Sequence, residues 1–176
     1  MTIRLLLLLI VFVTFNVVHA GEDTLLKSFE SNNYESFLRL YEASPDKSKV
    51  IDKDGHTYGL LSLSFYVEDP RFFERLIVEA DPNVASEGGY TALFEAASFC
   101  DSSRAERLVE HNADVNHVSE GGLTALHLAV LSSCYSVVEY LLVAGAFPDV
   151  ATFQGKRPVE SARNLGDGRM VRLLEP

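Results

Sequence analysis

One segment of the chain occurs twice in succession, and this repetition limits the folds open to the chain more than any other feature. Residues 86–118 and 119–151 align without a gap and share eleven identities, including the run Ser-Glu-Gly-Gly-x-Thr-Ala-Leu. A shortened copy follows at residues 152–176, and a degenerate copy, whose match to the next one is a residue short, covers about residues 52–85. A period of 33 residues indicates a repeat architecture in which each unit packs only on its neighbours.

Each copy predicts a pair of short helices. Leu93, Ala96 and Ala97 follow the i, i+3, i+4 spacing of one buried helical face, and Leu126 begins the same pattern in the next copy. The threonines of the two clean copies, Thr91 and Thr124, stand just before these runs, where a capping residue belongs. One such helix pair cannot bury its own apolar face, so the units must stack.

The run Gly122–Ala129 resembles the ankyrin repeat, whose hallmark is Gly-x-Thr-Pro-Leu-His-x-Ala. The resemblance covers roughly residues 52–175 and implies an all-α solenoid of helix-turn-helix units with short β-turn fingers, capped at both ends. His127 stands at the motif histidine, which implies that its ring bonds the adjoining turns. Phe94 replaces that histidine one copy earlier, whereas Pro158 restores the motif proline in the last copy.

Residues 1–20 predict a cleavable signal peptide. A positive start up to Arg4 precedes a mostly apolar run, Leu5–Val18, and Val18 and Ala20 form the small-residue pattern of a cleavage site between Ala20 and Gly21. The run is shorter than the roughly 20 apolar residues that span a bilayer. We therefore expect export without a stable membrane anchor after cleavage: to the periplasm in a Gram-negative bacterium, and otherwise to the outside of the cell. Residues 21–51, with two short helical patterns, predict an N-terminal helical cap.

Charge and motifs argue against nucleic-acid binding and against catalysis. The net charge of −10 does not suit a phosphate backbone, which clusters of Lys and Arg would have to neutralise. The sequence shows no Gly-rich phosphate loop, nucleophile elbow or His-Glu metal motif. His56, His111 and His117 have no second His or Cys at ligand spacing, although His111 and His117 could contribute to a metal or haem contact. We expect no enzyme, no cofactor and no metal site.

The two cysteines leave two alternatives open. An exported chain with Cys100 and Cys134 favours a disulfide. The two residues fall in the same inter-helix turn of adjacent repeats, where helices stack about 8–10 Å apart. A disulfide requires α-carbons about 4.4–6.8 Å apart, so the turns would have to bend inward. The alternative is a pair of semi-buried thiols.

The resemblance implies that the chain binds a protein through its turn tips and the concave face of its first helices, as a monomer when free. Carried over by motif, the contact positions are Glu87, Tyr90, Ser98, Phe99, Glu120, Leu123, Leu131, Ser132, Phe153 and Lys156. The apolar members of this set suit interface anchors, although each could also pack between repeats. The roles left open are an adaptor or helper of a haem enzyme such as catalase, and an immunity protein that inhibits a toxic secreted enzyme.

Overall fold

The computed structural model describes residues 24–52 and 54–175, and these residues form mainly helices. The predicted signal peptide and its cleavage site, with Ala20 and Gly21, lie outside the described residues. The described α-helices, in chain order, are α1 (Leu25–Glu30), α2 (Tyr34–Ala43), α3 (Leu60–Leu63), α4 (Arg71–Leu76), α5 (Ala92–Phe99), α6 (Ser102–Glu110), α7 (Ala125–Leu131), α8 (Tyr135–Val143), α9 (Pro158–Asn164) and α10 (Gly168–Leu174).

The N-terminal cap consists of α1 and α2, and it packs through aromatic rings. Thr24 and Asn33 cap the two helices by accepting hydrogen bonds from the backbone N–H groups of Lys27 and Ser36. The ring of Phe72 from α4 lies 4.9 Å from Phe29 and 4.7 Å from Phe37, centroid to centroid. These distances are typical of interacting aromatic pairs, so the cap closes the apolar end of the first repeat.

The first repeat begins with a β-hairpin. Strands β1 (Lys49–Ile51) and β2 (Thr57–Gly59) pair antiparallel, with Val50 opposite Tyr58. The hairpin crosses the boundary predicted at residues 51 and 52, so the first finger draws one strand from the predicted cap. Its helices, α3 and α4, are short, as the degenerate sequence of this copy indicates.

The later fingers are tight turns that repeat the same closing bond. The backbone N–H of Ser86 donates to the Tyr90 carbonyl at 2.8 Å, and Ser119 to Leu123 and Thr152 to Lys156 do so at 2.9 Å. The spacing between these donors equals the period of the sequence repeat. Each finger also docks on the previous one, since the N–H of Glu120 donates to the Gly88 carbonyl at 3.0 Å.

Asparagine side chains join successive repeats on the loops after the second helices. The Asn83 amide donates to the Asn112 carbonyl at 2.9 Å and accepts from the Asp114 N–H at 2.7 Å. Asn116 repeats this pattern one copy later, with the Gly145 carbonyl at 3.0 Å and the Phe147 N–H at 2.9 Å. An amide can both donate and accept, so each asparagine satisfies two backbone groups of the next unit.

The core runs the length of the solenoid and is built from small and branched side chains between the helices. Ala96, Ala129 and Ala162 are fully buried at equivalent positions of three successive copies, where their small size lets neighbouring helices approach. Leu93, Leu126 and Val159 are buried beside them. Within the described part of the chain, no helix is long and apolar enough to cross a membrane.

Candidate protein-binding surface

The finger tips form a row whose chemistry changes along the solenoid. Glu87, Glu120 and Phe153 occupy equivalent positions in three consecutive fingers, and all three are exposed. The last finger also exposes Lys156. The row therefore runs from acidic tips to an aromatic and basic tip. A shallow pocket lies between the β-hairpin and the two fingers with acidic tips. His56, Glu87 and Glu120 form part of its lining.

The structure divides the predicted contact residues into open and packed groups. The open group is Glu87, Glu120, Leu131, Ser132, Phe153 and Lys156. The partly buried group is Tyr90, Ser98, Phe99 and Leu123. Tyr90 packs its ring edge-to-face on Phe94 at 5.5 Å. Of the five predicted apolar anchors, Phe153 is 78% exposed and Leu131 is 39% exposed, so these two offer the most surface to a partner.

A partly buried glutamate on the first helix of its repeat, Glu95, was not predicted as part of the surface. Its Oε2 accepts a hydrogen bond of 2.7 Å from the Tyr66 hydroxyl, which belongs to the preceding repeat. Burial raises the pKa of Glu95 to about 7, and the bond from Tyr66 offsets this only in part. The sequence signal was available: the repeat alignment places Leu128 at the equivalent position of the next copy, so Glu95 puts a charge where its neighbour has an apolar residue.

Glu95→Gln is expected to raise the free energy of unfolding at pH 8 by up to about 3 kcal/mol and to change it little at pH 4. The folded-state pKa of about 7 lies above the ordinary 4.5, so the folded chain holds this proton more tightly than the unfolded chain. The stabilisation that the proton gives is complete below about pH 4.5 and is lost as the pH rises through about 7. Urea unfolding of the unmodified chain and of the Glu95→Gln variant between pH 4 and pH 8 measures the difference in their free energies of unfolding. A difference that stays constant over this pH range would contradict the prediction.

His127 serves the fold, as the motif implies. Its Nδ1 accepts from the Thr124 backbone N–H at 3.2 Å, and its Nε2–H donates to the Lys156 carbonyl in the next finger at 3.1 Å. Thr124 Oγ1 accepts in turn from the His127 backbone N–H, which closes a capping box. Burial lowers the pKa of His127 and keeps the ring neutral. Pro158 begins α9, where a missing backbone N–H costs nothing.

The other histidines of the repeats also bond the backbone. Phe94, at the motif histidine position, cannot bond the next finger, and the ring of His117 lies 5.9 Å from it. His117 Nε2 donates instead to the Gly89 carbonyl at 3.0 Å. His111 Nδ1 lies 2.8 Å from the Arg107 carbonyl. These bonds account for both residues as structural groups.

The first finger brings two carboxylates and a histidine together. The ligand atoms of Asp52, Asp54 and His56 lie within 4.8 Å of one another. His56 Nδ1 donates a hydrogen bond of 3.0 Å to Asp52 Oδ2. This bond to a carboxylate raises the pKa of His56. A structural zinc site has four ligands, whereas this cluster, in which Asp52 is partly buried, provides three. The cluster adds acidity to the same end of the finger row as Glu87.

A disulfide joins Cys100 to Cys134, and their α-carbons lie 5.2 Å apart. Cys100 adopts a left-handed backbone conformation, φ 57°, at the end of α5. Ser133, at the equivalent position of the next copy, has φ 55°, and Cys134 follows it directly. The one-residue offset from the repeat period thus places the sulfur atoms of two neighbouring turns side by side. The α-carbons of the two cysteines are closer to one another than the axes of stacked helices are.

The helix pairs, fingers and inter-repeat bonds define a stacked solenoid whose exposed turn tips suit protein recognition. A family model for three copies of the ankyrin repeat matches residues 61–152. The chain therefore belongs to the ankyrin-repeat family, and ankyrin repeats are protein-binding modules that are generally non-catalytic. The match covers both clean copies and most of the degenerate one. No curated protein is significantly similar to the chain.

Proposed function

We propose that this chain is exported and acts, in the periplasm or outside the cell, as a non-catalytic module that captures one protein partner. The partner lies along the fingers and the concave face of the first helices. The observation that carries this proposal is the exposure of two apolar side chains at predicted contact positions, Leu131 at the end of α7 and Phe153 on the finger that follows the one with Glu120. Exposed apolar groups ringed by polar ones are typical of interface anchors.

Two independent features support export. The N-terminal sequence follows the pattern of a cleavable signal peptide. The Cys100–Cys134 disulfide belongs to an oxidising compartment, since such bonds persist in the periplasm and outside cells and are rare in the cytosol.

The finger charges favour an inhibitory role over a purely structural one. Glu87 and Glu120 stand at consecutive tips, and Asp52 and Asp54 extend the acidic surface to the first finger. An acidic surface of this kind complements a basic substrate-binding cleft. We therefore favour an immunity protein that blocks a toxic secreted enzyme. The other role implied by the resemblance is a helper of a haem enzyme such as catalase, and the identity of the captured protein distinguishes the two.

A capture experiment tests the proposal. The full chain with a C-terminal tag is expressed in its native host, the processed chain is weighed by mass spectrometry, and bound proteins are identified after pull-down from the export compartment. We expect a chain beginning at Gly21 and one dominant partner. Leu131→Ser with Phe153→Ser is expected to reduce capture at least tenfold, because both open apolar contacts are lost.

The matched control changes two apolar residues that are also open but lie at or just beyond the ends of second helices. Val78 is 71% exposed and Val143 is 88% exposed. The double variant Val78→Ser with Val143→Ser therefore removes a comparable area of exposed apolar surface away from the fingers and the first helices. This control variant is expected to capture normally. Equal capture by both variants, or a chain that keeps its leader in the cytoplasm, contradicts the proposal.

A further inference from the structure

The Glu95 carboxylate lies where two repeats meet and has no cation to balance it among the described residues. Its hydrogen bond comes from the neutral Tyr66 hydroxyl, and no neighbouring charge shifts its pKa. Many of the other acidic side chains differ: Glu74, for example, pairs with Arg107, and Glu160 with Arg157. A carboxylate that is desolvated and has no ion pair lowers the stability of the fold, and an incoming cation offsets that loss.

Aromatic rings stand next to this carboxylate. Tyr66 meets Phe99 edge-to-face at 5.4 Å, and Phe99 stacks on Phe65 at 6.2 Å. The Arg104 guanidinium lies 4.9 Å from the centroid of the Phe65 ring, and its ion pair is with Asp101 rather than with this carboxylate. Tyr66 and Phe99 are only partly buried. Aromatic faces attract cations, and Arg and Lys in particular bind where rings and a carboxylate occur together.

The neighbouring copies explain why the charge is isolated. Counted from the residue that caps each first helix, the position of Glu95 holds Leu63 in the preceding copy and Leu128 in the following one. Leu63 is buried and Leu128 is partly buried. A glutamate in this row gives the fold no ion pair in the described residues and lowers its stability when ionised. A carboxylate at such a position is better suited to binding a ligand than to packing in the core.

We infer that Glu95, Tyr66 and Phe99 form a binding site for one Arg or Lys side chain of the protein partner. The inference rests on the proposed protein-binding function and names the chemistry of the anchor. The guanidinium or ammonium group pairs with the Glu95 carboxylate while its aliphatic stem lies against the rings. The raised pKa of Glu95 supports this arrangement, because burial makes the charged carboxylate costly and a cation placed beside it offsets that cost.

The test is an NMR titration of the oxidised chain at pH 8 with acetyl-arginine methylamide. Acetyl-citrulline methylamide, which is neutral and nearly the same shape, is the matched probe. We expect arginine to shift the amide signals around Tyr66, Glu95 and Phe99, and to bind at least tenfold more tightly than citrulline. Glu95→Gln keeps an acceptor for Tyr66 and is expected to lose this preference, whereas Glu106→Gln on the exposed side of the second helix α6 keeps it.

Two further readouts separate the possible outcomes. In the unmodified chain, arginine is expected to lower the pKa of the Glu95 carboxyl, which carbon NMR follows without any variant. Equal binding of both probes, or arginine shifts that persist in Glu95→Gln, overturns the inference. If Glu95→Gln captures the partner normally while Leu131→Ser with Phe153→Ser does not, the inference fails and the proposed function stands.

Discussion

Reduction of the Cys100–Cys134 bond is expected to lower the free energy of unfolding by about 3 kcal/mol. The bond closes a loop with a sequence separation of 34 residues, and it restricts the unfolded chain far more than the folded one. In urea this loss corresponds to a shift of the unfolding midpoint by roughly 1–2 M, given the slopes usual for small proteins. Unfolding curves with and without a phosphine reductant measure it.

A double variant provides the control for this prediction. Cys100→Ser with Cys134→Ser removes the bond without a reductant and is expected to unfold at the same urea concentration as the reduced chain, or slightly below it. Cys134 is buried, so its serine adds a small desolvation cost. If the oxidised and reduced chains share one midpoint, the bond contributes nothing to stability and its support for export is weakened.

Gly122→Ala is expected to destabilise the chain by about 3 kcal/mol or more, through two separate costs. Gly122 has φ +79°, a conformation that costs an L-residue about 1–2 kcal/mol. A β-carbon there would also lie 2.6 Å from the Phe153 backbone nitrogen and 2.9 Å from the Thr152 α-carbon. Backbone atoms cannot rotate away, so the next finger would have to move.

Gly155 provides a matched control, because it occupies the equivalent position one copy later. It has φ +76°, but a β-carbon there would meet nothing within 4 Å among the described residues. Gly155→Ala is therefore expected to cost only the backbone strain, about 1–2 kcal/mol. Thermal or urea unfolding of the two variants separates strain from collision. Equal losses would mean that the fingers do not pack as tightly as the structure indicates.

The local architecture was predictable because it depends on short-range chemistry. The Gly-x-Thr-Ala-Leu-His run fixes a turn, a cap and the start of a helix within one short segment, and α7 begins directly after the capping Thr124. The family match confirms the repeat and the all-α solenoid. Helices α1 and α2 also depend on local chemistry, since each begins directly after a capping side chain, Thr24 or Asn33.

The surface was harder to predict because exposure depends on neighbours from other repeats. Tyr90 and Leu123 occupy equivalent positions and are both half-buried, although turn tips are usually open. Phe99 is covered in part by Phe65 and Tyr66, which belong to the preceding repeat. The repeat alignment marks Glu95 as a charge opposite Leu128, but its bond to Tyr66, which lies in another unit, is visible only in the structure.

The asparagine bonds between loops do not recur at the loop after α8. At the positions of Asn83 and Asn116, an amide both donates to and accepts from the next unit. The equivalent residue one copy later is Asp149, whose carboxylate only accepts and lies 3.7 Å from Arg157. The side chain at this position can therefore accept from a backbone N–H but cannot donate to a carbonyl. One oxygen in place of one nitrogen thus ends the two-way pattern of bonds at the loop that precedes the last helix pair.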